Sequence, residues 1–138
     1  AGPNDGGGLR ALPEAAVTGL PGSLELAYLG DAIYEFYVRE RLVRGGDRIH
    51  ALHRAAIGTV CAHAQSEALL RLEPILTDAE RGVVRRARNA RQTPPHNADP
   101  AEYHRATALE ALIGYLYLTD QKARMEALIE VALGAEER

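Results

Sequence analysis

The chain has a single cysteine, Cys61, in 138 residues. No disulfide can form within it, and a reducing, cytoplasmic setting is expected. No apolar run reaches the ~18 to 20 residues of a membrane span. The start shows no basic-then-apolar targeting segment, and the missing initiator Met points to trimming. Lysine is almost absent: of 16 basic residues only Lys122 is Lys. Strand-like alternation and internal repeats are missing too. The net charge of −3 does not announce a nucleic-acid binder.

What is present is the balance of an ordinary soluble domain, 46% apolar and 25% charged. A chain this long buries roughly two-thirds of its unfolded surface, enough for one core without staples. Residues 1–22 hold six of the 13 glycines and three of the seven prolines. They are expected to be a flexible segment with at most a short helix from Leu9 to Thr18, ahead of a domain at 23–138.

Helical periodicity dominates from there. Ser23 is expected to cap a long helix to about Val43, closed by Gly45-Gly46. Asp47 is expected to cap a second helix that ends before Pro74. Thr77 and Glu80 form a capping box, and Pro94-Pro95 sit in a loop at 92–99. Asp99, Pro100 and Glu102 open a long helix to about Leu118. A last amphipathic helix starts near Thr119 or Asp120 and ends at Gly134. The fold class expected is an all-α bundle.

Two acids look misplaced in it. Leu26 to Val38 is apolar at ten of thirteen positions, with Asp31 in its middle after Gly30. Leu109 to Leu118 is apolar at eight of ten, and Glu110 is its one charge. Both helices are expected to be buried nearly all round. An unpaired carboxylate there costs several kcal/mol, so it must be protonated, ion-paired or metal-bound. Oxygen ligands alone favour a hard cation, Mg²⁺ or Mn²⁺. Structural pairing of each acid with an Arg is the competing reading. Glu35 lies one turn beyond Asp31 and is a supporting candidate.

Positive charge is concentrated elsewhere. Arg81, Arg85, Arg86, Arg88 and Arg91 fall in eleven residues without an acid. Such a stretch reads as a directed anion site, since the guanidinium fork suits phosphate. A solvated helix face would give the same pattern. A divalent ion beside arginines is what phosphodiester hydrolysis requires. By contrast, His50, His53, Cys61 and His63 have poor spacing for zinc.

The stretch Leu26-Ala27-Tyr28-Leu29-Gly30-Asp31-Ala32 resembles the signature helix of the ribonuclease III family. Ala106-Thr107-Ala108-Leu109-Glu110-Ala111-Leu112-Ile113-Gly114 resembles its second metal-binding helix. Two of the family's acids are missing: Ala27 stands four residues before Asp31, and Thr107 three before Glu110. That pattern, with Leu52-His53, Arg88-Asn89-Ala90-Arg91 and Tyr103, is similar to the compact Mini-ribonuclease III branch. No double-stranded RNA-binding domain is expected after the nuclease region, which also suits that branch.

The resemblance implies a homodimeric, Mg²⁺-dependent endoribonuclease, with Mn²⁺ able to substitute. It implies cleavage of double-stranded RNA to leave 5′-phosphates and maturation of the ends of precursor 23S ribosomal RNA. Asp31 and Glu110 would be the catalytic metal ligands, with Thr107 supporting. Arg85, Arg86, Arg88, Asn89, Arg91 and Arg105 would hold RNA, and ribosomal proteins on the substrate are further possible partners. The alternative is a catalytically weak helical RNA-binding or ribosome-assembly factor, motivated by Ala27 and Thr107.

Overall fold

The computed structural model describes residues 19–46 and 48–134. The expected helix at Leu9 to Thr18, the flexible segment up to residue 18 and the Asp47 cap lie outside the described residues. Within them the fold is all-α, six helices joined by short connections apart from a longer loop at residues 89–99. They are α1 (Ser23–Arg44), α2 (Ile49–Val60), α3 (Ala62–Leu72), α4 (Asp78–Arg88), α5 (Pro100–Leu118) and α6 (Lys122–Gly134), with a short 3₁₀ turn at Glu73–Ile75.

Helix boundaries follow local chemistry. Gly22 rather than Ser23 occupies the N-cap of α1, without a side-chain cap bond. At the other end the Gly45 amide reaches back to Arg41 and Leu42 carbonyls, and Gly46 turns the chain at φ +84°. That left-handed conformation is one glycine adopts without a Cβ penalty. Thr77 and Glu80 form the reciprocal capping box of α4, at 3.1 and 2.9 Å. Asp99 caps α5 through the Ala101 and Glu102 amides, and Pro100 takes the first helical position.

The expected single helix before Pro74 is in fact two. Cys61 is extended, with φ −69° and ψ 160°, and separates α2 from α3. The Thr59 hydroxyl donates to the Ala55 carbonyl at 2.8 Å, competing with the helix ladder just before the break.

Helix α5 is the hub, packed against α1, α3, α4 and α6. Leu109, Ala111, Leu112, Ile113, Tyr115 and Leu116 have no exposed surface. This helix is buried nearly all round, as its composition implies. Helix α1 is not. Leu26, Ala27, Tyr34 and Val38 face the core, while Tyr28, Asp31, Ala32 and Phe36 face outward. Apolar composition on every side therefore marks α5 as core and α1 as a helix with an uncovered apolar face. A far tie closes the bundle: Arg124 of α6 binds the buried Glu80 carboxylate through two nitrogens, each at 2.9 Å.

Candidate active site

The site begins with two glycines. A Cβ at Gly30 would lie 1.7 Å from the Glu110 carbonyl oxygen, and one at Gly114 would lie 2.2 Å from the Leu26 carbonyl oxygen. No side chain fits at either point, so α1 and α5 cross backbone against backbone. Asp31 follows Gly30, and the crossing sets its carboxyl beside that of Glu110, within hydrogen-bonding reach. Residues 79 apart in sequence thus become immediate neighbours because nothing bulkier than hydrogen separates their helices.

The pair sits at the surface rather than in an apolar interior. Asp31 is exposed and Glu110 half-buried, which corrects the expectation of two enclosed acids. Burial, then the negative charge of Asp31 and a hydrogen bond with it, push Glu110 up to about 8, while the Gln65 amide opposes the rise. Two carboxyls this close cannot both ionise cheaply, so at neutral pH Glu110 keeps its proton. Such a pair fits a hard divalent cation, whose charge relieves the repulsion that the proton otherwise relieves. Among the described residues no cluster of three His, Cys, Asp or Glu side chains stands ready for a metal. Further ligands must be neutral oxygens, water or substrate.

The remaining sequence candidates are spread more widely. Thr107 is buried, and its hydroxyl donates to the Tyr103 carbonyl one turn back at 3.1 Å. Glu35 is paired with Arg39 on the same helix. Arg105 donates from Nε to the buried Ser66 hydroxyl at 2.6 Å and ties α5 to α3. Arg81, Arg85 and Arg88 line one groove of about 290 Å³ whose rim includes Glu73, 4.0 Å from Arg88. Arg86 lies apart from them, with Pro21, Gly22 and Leu26 at the start of α1. Asn89 and Arg91 are exposed where α4 ends. His53 lines a groove with Leu42, Val43 and Ile49, at the junction of α1 and α2.

Gln65 was not anticipated from sequence. It is 2% exposed and reaches Glu110 from α3. An uncharged residue in the middle of an amphipathic helix carries no signal until the helix is placed against α5.

A ribonuclease III domain family model matches residues 24–121, spanning both motifs and the arginines between them. The chain belongs to the ribonuclease III family. Within that family it is 51% identical over 117 residues to a Mini-ribonuclease 3 of Symbiobacterium thermophilum, covering 83% of this chain and 90% of that one. It is 45% identical over 124 residues to a Mini-ribonuclease 3 of Synechococcus, covering 90% and 88%. A crystal structure of a protein from Fusobacterium nucleatum superposes with a TM-score of 0.77 at 33% identity, covering 83% of this chain and 93% of that one. As a ribonuclease III, the chain is an endoribonuclease acting on double-stranded RNA. Enzymes of this family use divalent metal ions and typically dimerise.

Proposed function

We propose that this ribonuclease III uses Mg²⁺, with Mn²⁺ able to replace it, held by Asp31 and Glu110. The observation that carries the reading is the juxtaposition of the two carboxyls across the glycine crossing. When bound there, the cation supplies charge to polarise water and to neutralise the phosphoryl oxygens as negative charge develops on them. The protein's part is positional. Gly30 and Gly114 fix the separation of the helices, and Glu110 would have to be ionised to hold a cation with Asp31. Arg85 and Arg88 hold RNA phosphates from the α4 groove, with Asn89 and Arg91 extending that surface. Duplex RNA is read mainly by shape and backbone, which exposed guanidiniums can grip without base contacts.

The reading includes a homodimer, in which a twofold axis supplies one site to each strand. Support comes from the outward face of α1, where Tyr28 is 86% and Phe36 61% exposed. The substrate proposed is the duplex formed by the paired ends of precursor 23S ribosomal RNA, cut to leave 5′-phosphates in the cytoplasm. The direct test is duplex-RNA cleavage by wild type and Asp31→Asn. The variant should keep the fold and RNA binding while losing at least a hundredfold in rate. Wild-type activity that survives EDTA, or full activity in Asp31→Asn with Mg²⁺, would reject the metal assignment. RNA binding without cleavage in the wild type would instead support an RNA-binding or ribosome-assembly factor.

A further inference from the structure

The site has only two acids where the family pattern has four, because Ala27 and Thr107 replace the others. Both replacements are buried, and the Thr107 hydroxyl is already bonded to its own helix. Neither supplies a donor that would restrain the Glu110 carboxylate. A half-buried glutamate with free rotamers would spend much of its time away from Asp31, and ordering it costs conformational entropy on each binding event.

Helix α3 brings the missing restraint. Gln65 is enclosed at 2% exposure, and its carboxamide lies within hydrogen-bonding reach of the Glu110 carboxylate. Its own position is pinned from both sides. His63 pairs with Glu102 at 2.5 Å, and Ser66 accepts from Arg105 at 2.6 Å, so α3 is fastened to α5 on either side of Gln65 along the chain. A carboxamide is uncharged, so it adds no repulsion to a site that already holds two acids. Its NH₂ group can donate to a Glu110 oxygen whether that carboxyl is protonated or ionised, so the donation is available with or without a cation.

We propose that Gln65 is a positioning residue of the metal site: its NH₂ holds one oxygen of Glu110 and leaves the other directed at Asp31 for a shared divalent cation. This rests on the assignment of Asp31 and Glu110 as the ligands. The arrangement replaces charge with geometry. In place of further carboxylates, a neutral amide anchored on a third helix orients one of the two that remain. Partners of this kind typically hold tenfold to a hundredfold of metal affinity.

The test is Mn²⁺ titration by calorimetry on the RNA-free protein, with the Mg²⁺ dependence of duplex cleavage measured alongside. Gln65→Met keeps the volume and burial of the side chain and removes the donor. It should weaken Mn²⁺ binding at least tenfold and raise the Mg²⁺ concentration for half-maximal cleavage similarly. Much of the rate should return at saturating Mg²⁺, and RNA binding in EDTA should not change. A folded Gln65→Met protein with wild-type Mn²⁺ affinity and an unshifted Mg²⁺ midpoint overturns the proposal.

Gln65→Glu provides a second, near-isosteric arm. It replaces the donor with a third charge, so the metal-free protein should melt lower and gain more thermal stability from saturating Mn²⁺ than wild type does. Equal stabilisation of both proteins counts against the role. Asp31→Asn serves as the reference. If it binds Mn²⁺ as wild type does, the ligand assignment itself fails, an outcome separate from failure of Gln65 alone.

Discussion

Glu110 shows how far one residue's behaviour depends on its neighbours. Burial first, and then the charge of Asp31, raise its carboxyl from an ordinary 4.5 to about 8. Between those values the folded protein binds more protons than the unfolded chain. Stability without metal should therefore be highest, as far as this group is concerned, below pH 4.5 and fall as pH climbs towards 8. The slope should not exceed about 1.4 kcal/mol per pH unit. Denaturant midpoints at pH 5.5 and pH 8 in EDTA, for wild type and Glu110→Gln, measure it. The variant's stability should vary less with pH. Parallel behaviour of the two proteins would show that Glu110 carries no such linkage. At this scale the sequence made Asp31 and Glu110 conspicuous through their apolar surroundings. It left Gln65 invisible, because a neutral residue becomes significant only through what it touches.

Helix α4 shows how an element sorts residues that look alike in sequence. Its arginines read as one basic run, yet the helix puts Arg81, Arg85 and Arg88 along one groove and Arg86 beside the start of α1. The spacing of four and three residues makes those three neighbours on a single face. Replacing Arg85 and Arg88 together by Ala should lower the slope of log affinity against log salt by about 2 for duplex RNA. Arg86→Ala should lower it by no more than about 1. Filter binding in EDTA at several salt concentrations distinguishes them, and an unchanged slope in the double variant would remove this groove from the RNA surface. Capping residues made most helix ends legible, including Thr77 with Glu80 and Asp99 with Pro100. The break at Cys61 was not legible, since neither proline nor a turn signal marks it and a hydroxyl's bond to its own helix has no sequence signature.

At the scale of the molecule, the uncovered face of α1 is the proposed dimer interface. Tyr28, Ala32 and Phe36 lie one turn apart on an exposed surface. A stable dimer buries roughly 1,200–2,000 Å² in total, and aromatic side chains are its common anchors. Replacing Tyr28 and Phe36 by Asp should give a folded monomer in sedimentation velocity at concentrations where wild type is dimeric. Cleavage of both strands should fall with it. A wild-type monomer, or a variant that still dimerises, would place the interface elsewhere. No helix among the described residues is long and apolar enough to cross a membrane, so this face is not part of a helical span.

The sequence by itself determined the helical class, most helix ends, the two acids and the basic run. Each of these rests on neighbours within a few residues, where periodicity and capping act. Only the tertiary structure decided that α1 turns one apolar face outward, that Asp31 is exposed beside a half-buried Glu110, and that Gln65 joins them. Those outcomes depend on how closely two helices approach. That distance is set where Gly30 and Gly114 meet the opposing backbone, and no local pattern states which backbone it will be.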